Sequence, residues 1–117
     1  DFVPTKIDGK IKKEDVGESL NLSLKRNVDI LQSLKEFKCK KIGFKLEISN
    51  ESALKSARSI LEKKGLDAVC LNILGEKNGF ASEQNEVNFI TKNSEILLPL
   101  ASKDEIAGRI VELAANL

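Results

Sequence analysis

The sequence contains no histidine, and that absence removes whole classes of chemistry. Ser-His-Asp and Cys-His catalysis both need an imidazole to carry the proton. His-ligated metal sites go with them. Trp and Tyr are also absent, and five Phe are the only aromatic residues. Stacking platforms for single-stranded nucleic acid are therefore poorly supplied. The two cysteines, Cys39 and Cys70, are far apart and form no CxxC pair. A disulfide is not expected, and a reducing cytoplasm is the default compartment. No apolar run approaches the roughly 20 residues of a membrane span. No signal-peptide pattern is visible. The chain opens without Met, on Asp-Phe-Val-Pro, as a piece cut from a longer protein would. Net charge is +1, from 19 basic and 18 acidic residues, so no general attraction to nucleic acid or membrane follows.

What is present fits one domain with one core. The chain has 117 residues, 41% hydrophobic and 32% charged, an ordinary globular composition. Residues 1–3 read as the tail of a strand that Pro4 ends. Residues 5–16 read as a polar loop with Gly9 as its flexible point. Leu20, Leu22 and Leu24 alternate with polar residues, the period of a half-buried strand. Asn27 reads as an N-cap with Asp29 in the first turn. Ile30, Leu31, Leu34 and Phe37 then follow as a helical stripe ending in the lysine-rich residues 38–41. Residues 41–47 form the next strand, with Ile42, Phe44 and Leu46 on one face. Asn50 or Ser49 caps a helix with Ala53, Ala57, Ile60 and Leu61 buried, and Gly65 stops it.

The apolar run Ala68-Val69-Cys70-Leu71, within a strand over residues 67–74, suggests a strand covered on both faces. Residues 75–84 read as a loop. Residues 87–91 and 95–98 read as a hairpin across a Lys-Asn-Ser turn. Ser102 and Glu105 make a capping box for a last helix, whose core stripe is Ile106, Ala107, Ile110, Leu113, Ala114 and Leu117. Strand and helix alternate in the order of a parallel α/β sheet.

The chemistry-bearing candidates are few. There is no GxxxxGK[ST] loop and no GxGxxG fingerprint. Glu14, Asp15 and Glu18, or Glu83 and Glu86, read as solvated acids rather than acid–base pairs. Lys10-Ile11-Lys12-Lys13 puts three mobile ammonium groups within four residues. Such a group is a plausible grip for a polyphosphate or developing oxyanion, or simply a solvated basic loop. The start of the helix after Asn27 presents unpaired N–H groups, either an anion site or a routine cap. Phe44 either stacks on a flat ring or packs in the core.

Taken in order, Lys10-Ile11-Lys12-Lys13, Leu20-x-Leu-x-Leu, Asn27-Val28-Asp29-Ile30-Leu31, Ile42-Gly43-Phe44 and Lys64-Gly65-Leu66-Asp67 resemble the C-terminal half of phosphopantothenoylcysteine synthetase. Gly79-Phe80-x-Ser82-x-x-Asn85 and Leu98-Pro99-Leu100-x-Ser102-Lys103 continue the resemblance. It runs over essentially all of residues 1–117. It implies the α/β class, with a Rossmann-like, mostly parallel sheet, flanking helices and a β-hairpin, truncated at the N-terminus. In bacteria that ligase is usually the second half of a bifunctional coenzyme A biosynthesis flavoprotein, whose decarboxylase domain holds FMN. The resemblance implies CTP and Mg²⁺, with 4′-phosphopantothenate and L-cysteine as the other substrates, and a homodimer through this half. It implies no nucleic acid and no membrane.

By the same resemblance Lys10 is the lysine needed for turnover and contacts the nucleotide. Asp1 is an acid at the nucleotide, and Val28, Asp29, Ile30 and Leu31 form the helix start that meets it. Phe44 and Lys64 match further nucleotide contacts, and no protein metal ligand is implied.

Three departures stand out. Val28 replaces a proline, which removes a favoured first-turn residue. Ile60 occupies a position where a second lysine is expected. Arg58 and Lys63 lie on other helical faces. The family's N-terminal half, with a glycine-rich segment, an arginine and an asparagine, has no counterpart here. This piece alone is expected to be inactive. The alternative is a non-catalytic nucleotide-binding or dimerisation module. A remoter one is nucleic-acid binding through residues 38–41.

Overall fold

The computed structural model describes residues 2–48, 50–74 and 82–117. They form two compact units, Asp1–Ser33 and Leu34–Leu117. In the first, β1 (Phe2–Pro4) pairs antiparallel with β2 (Leu24–Arg26), with Phe2 opposite Arg26 and Pro4 opposite Leu24. The Thr5 N–H donates to the Ser23 carbonyl at 2.9 Å and carries the ladder one residue further. A two-stranded ribbon leaves each strand an open side, so the missing N–H of Pro4 costs nothing there.

Four expectations for this unit change. The strand begins at Leu24, not Leu20, and Leu20, Leu22 and Leu24 are 49, 55 and 56% exposed. Alternation buries a face only where a second layer exists, and no described side chain of this unit is fully buried. The loop at residues 5–16 contains a single helical turn, α1 (Lys13–Val16), closed by Gly17 at φ +61°. The helix expected to reach Phe37 is one turn, α2 (Ile30–Ser33). Its cap is Asp29, not Asn27. Asp29 Oδ1 accepts the Gln32 N–H at 3.0 Å, and the Asp29 carbonyl accepts that of Ser33 at 2.9 Å. The Ser33 hydroxyl donates to the Ile30 carbonyl at 2.7 Å, a local bond that competes with helix propagation.

The second unit is a four-stranded sheet in the order β3-β4-β5-β6, with helices against it. Its elements are β3 (Ile42–Glu47), α3 (Asn50–Lys64), β4 (Ala68–Ile73), β5 (Gln84–Thr91), β6 (Glu95–Ser102) and α4 (Lys103–Ala114). β3 and β4 run parallel, with Phe44 opposite Cys70 and Leu46 opposite Asn72. The other two pairs are antiparallel, so the sheet is mixed. Among the described residues β3 and β4 are the one parallel pair, and the strand expected before β3 lies in the ribbon with β1.

Ala53, Ala57 and Leu61 recur every fourth residue on α3 and are buried. Gly65 at φ +60° ends that helix. The Leu66 N–H reaches back to the Leu61 carbonyl at 2.9 Å, and that of Gly65 to Glu62 at 3.2 Å. This is the paired bonding of a Schellman C-terminus.

β4 is buried on both faces, as the apolar run requires. Ala68 and Cys70 join Val87, Phe89, Leu98 and Ile106 in one cluster under α4. Val69 and Leu71, equally buried, turn by the pleat to the α3 side. Each large side chain in this core contributes roughly 1.5–3 kcal/mol on burial.

β6 runs past Leu98 to Ser102 and contains Pro99. Asn85 pairs with Ala101 and Val87 with Leu98, so Pro99 and Leu100 together face Glu86 alone. An edge bulge accommodates a residue with no N–H to give. Ser102 caps α4. Its Oγ accepts the Glu105 N–H at 3.3 Å, and Glu105 Oε2 accepts the Ser102 N–H at 3.2 Å.

Candidate functional site

In the first unit, Lys10 follows Gly9, whose φ of +92° is a left-handed conformation that suits glycine. Lys10, Lys12 and Lys13 are all exposed. The ion pair nearest in sequence is Lys6–Asp8, at 3.7 Å between almost fully exposed side chains. Lys10 lies on a solvent-facing segment where a mobile cation costs little. Val28 and Ile30 are 72 and 68% exposed, and Leu31 is half-buried. Asp29 is committed to capping the turn. A single turn sums few peptide dipoles, so the N–H groups of this segment act as individual donors rather than as a helix end. Asp1 lies outside the described residues, as do Gly79 and Phe80.

In the second unit, Phe44 stands on β3 and is 75% exposed, which excludes the core reading. Its pairing with Cys70 puts it on the α4 face. Lys64 is the last residue of α3, half-buried, on the helix covering the opposite face. These two site residues therefore do not share a face of the sheet. Ile60 is partly buried on α3. Arg58 donates to Glu95 Oε2 at 3.3 Å, tying α3 to the start of β6. That pairing takes Arg58 away from the role left open by Ile60.

The lysines of residues 38–41 are partly structural. The Lys41 ammonium donates to the carbonyls of Lys35 and Phe37 at 3.0 and 3.1 Å. Lys40 donates to Asp67 Oδ1 at 3.2 Å. The backbone N–H of Lys41 holds the Asp67 carboxyl below its ordinary range, and the Lys40 ammonium adds to this. Lys45 and Glu47 pair at 2.9 Å, and hydrogen bonds from Lys45 and Ser56 keep the Glu47 carboxyl low. Burial pushes the Cys70 thiol up to about 11, so it is inert at neutral pH. Both cysteines are free. Among the described residues no cluster of three Cys, Asp or Glu side chains could hold a metal ion. No helix among them is long and apolar enough to cross a membrane.

The sequence reading missed a cavity of about 510 Å³ between β3, β4, β5 and α4. Cys70, Val87, Ile106 and Ile110 make an apolar wall, and Phe44 and Leu46 stand at its β3 side. Asn72 also lines it, and its Oδ1 is buried with no hydrogen-bond partner among the described residues. The sequence did carry a signal for that residue. Asn72 interrupts an otherwise apolar strand between Leu71 and Ile73.

The whole chain, residues 1–117, matches the family described as the DNA/pantothenate metabolism flavoprotein C-terminal domain. A Vibrio cholerae protein named coenzyme A biosynthesis bifunctional protein CoaBC is 34% identical over 97% of this chain and 29% of its own length. Its namesake in Borreliella burgdorferi is 35% identical over 97% of this chain, again 29% of its own length. The chain thus spans less than a third of these relatives. The crystal structure of the Streptococcus pneumoniae DNA/pantothenate metabolism flavoprotein aligns at TM-score 0.70 and 27% identity, covering 85% of this chain and 43% of that one. A solved C-terminal domain of a CoaBC protein aligns at TM-score 0.63 and 28% identity, covering 79% and 42%. With its mixed sheet, flanking helices and end-to-end match, the chain belongs to the DNA/pantothenate metabolism flavoprotein C-terminal domain family.

Proposed function

We propose that this chain is the C-terminal part of a phosphopantothenate–cysteine ligase acting in coenzyme A biosynthesis. The observation that carries the reading is the match over 97% of the chain to proteins named coenzyme A biosynthesis bifunctional protein. The exposed Lys10 segment and the exposed Phe44 ring are consistent with it.

In the proposed reaction the carboxylate of 4′-phosphopantothenate attacks the α-phosphate of CTP. A P–O bond forms, pyrophosphate leaves, and an acyl-cytidylate results. The amine of L-cysteine then attacks the acyl carbon. The C–O bond to phosphate breaks, CMP leaves, and the amine gives up a proton as the amide forms.

Lys10 is the residue proposed to act on this charge. A mobile ammonium neutralises the triphosphate on binding and the growing charge on the leaving group in the transition state. Val28, Asp29, Ile30 and Leu31 offer backbone contacts to the nucleotide, and Phe44 an apolar plane beside it. Asp1 and Lys64 are further nucleotide contacts in this reading. In this reading Mg²⁺ is an ion carried by the phosphates of CTP. FMN belongs to the decarboxylase part of a bifunctional protein and has no role here.

A homodimer through this domain is part of the proposal. Phe2, Leu22, Leu24 and Val28 are 62, 55, 56 and 72% exposed in the first unit. A two-stranded ribbon is marginal alone, and in this reading a second copy packs on these residues.

The test is pyrophosphate release by the whole protein with CTP. Release that requires phosphopantothenate but not cysteine supports the ligase. CTP binding with no release supports a nucleotide-binding module instead.

A further inference from the structure

Phe44 stands between two unlike neighbours on β3. Gly43 precedes it, buried and with no side chain to pack, and a glycine weakens a strand where it sits. Lys45 follows it and is held. The Lys45 ammonium lies 2.9 Å from Glu47 Oε1. Strand residues two apart share a face, so Lys45 and Glu47 lie on the α3 side with Leu71, opposite to the Phe44 ring.

The pair is tied to the helix beside it. Hydrogen bonds from the Lys45 ammonium and from the Ser56 hydroxyl of α3 keep the Glu47 carboxyl below its ordinary range. Ser56 adjoins Ala57, which is fully buried in the α3 stripe. The Lys45 and Glu47 side chains are 27 and 26% exposed, so water screens the pair only in part. The Glu47 carbonyl also accepts the Leu74 N–H at 2.8 Å. Edge strand, helix and ladder thus meet at Glu47. Phe44, by contrast, is 75% exposed, although Cys70 opposite it is 1% exposed. A side chain with few packed neighbours takes its direction from its own backbone.

We propose that Lys45, Glu47 and Ser56 are positioning residues that act through the β3 backbone to hold the Phe44 ring at the nucleotide. The inference rests on the reading that puts Phe44 beside CTP. A ring that serves as a plane for a ligand must keep its orientation to within roughly 10–20°. Gly43 gives the backbone no side-chain anchor on one side of Phe44, so the anchor on the other side sets that orientation. Without it the strand twists more freely at Phe44. CTP binding must then restore the order, which weakens affinity and leaves the bound complex as it was. None of the three residues touches the nucleotide, because they lie on the other face of the sheet.

The test measures CTP affinity by calorimetry, with steady-state pyrophosphate release, in the whole protein. Phe44→Ala sets the scale and weakens CTP binding on the order of 10-fold, as loss of a stacking ring does. Ser56→Ala and Lys45→Met each weaken it by about 5-fold, the scale of coupling between neighbouring side chains. They raise KM for CTP and leave kcat unchanged, and Lys45→Arg, which keeps the charge, stays close to the parent protein. Ser56→Ala puts a strong helix former in α3 and so keeps the fold. In a Phe44→Ala background the same substitutions change nothing further, which a merely structural brace would not show. If Phe44→Ala weakens binding while Ser56→Ala and Lys45→Met do not, the inference is overturned and the ligase reading stands. Equal losses with and without the ring also overturn it, since the three residues then act apart from Phe44. Unchanged CTP affinity in Phe44→Ala removes that ring from the site and overturns both the inference and the reading on which it rests.

Discussion

Asp67 and Lys41 bind each other at the point where the two parallel strands begin. The Lys41 N–H donates to Asp67 Oδ2 at 2.8 Å, and the Lys41 carbonyl accepts the Asp67 N–H at 2.9 Å. This reciprocal pair sets the register of β3 against β4 before either strand starts. The Asp67 side chain is 28% exposed, so the bond is partly shielded from water.

Asp67→Ala is expected to destabilise the protein by about 2 kcal/mol at pH 7, the scale of a hydrogen bond to a charged group. The folded-state pKa of Asp67 is lowered. Its contribution is therefore complete above the unfolded value of about 3.9 and is lost as pH falls through the folded value. Urea unfolding of both proteins at pH 7 and in acid checks this. The gap between them should shrink on acidification.

Lys10→Gln is expected to lower turnover of the whole protein by at least about 100-fold, the scale of losing one aligned charge donor. The side chain is exposed, so stability should stay within about 0.5 kcal/mol. Steady-state pyrophosphate release and thermal unfolding, measured side by side, separate the two effects. Lost stability with lost turnover would argue for a structural role.

Cys39 is exposed and Cys70 buried. Burial raises the Cys70 thiol to about 11, leaving little thiolate at neutral pH. A thiol reagent should titrate one cysteine in the native protein and the second only in denaturant. Mass spectrometry of the labelled peptides identifies each.

Ser102→Ala removes the acceptor that holds the Glu105 N–H at 3.3 Å. It should cost about 1 kcal/mol, as loss of an N-cap does. Ser102→Thr should restore most of this, measured as the midpoint of chemical unfolding.

The second unit was legible where local chemistry and burial agree. Ala53, Ala57 and Leu61 with Gly65 define a helix and its stop, and Ser102 with Glu105 defines another start. Ala68 to Leu71 announced a strand covered on both faces, and the structure buries all four. The first unit was less legible. Leu20, Leu22 and Leu24 have the period of a half-buried strand, yet they remain exposed and only the last is in a strand. Asn27 read as the cap with Asp29 inside the first turn, yet Asp29 is the residue that caps it. The choice fell to whichever oxygen met the Gln32 N–H.

The sequence by itself determined the α/β class, the main helices and strands of the second unit and the family resemblance, because periodicity, caps and motif order are local properties. Tertiary structure alone decided the sheet order, the bulge that admits Pro99, the exposure of Phe44 and the burial of Asn72 Oδ1 at its cavity with no partner among the described residues. Those depend on which strands become neighbours and where a covering helix stops. Only packing between residues distant in the chain settles that.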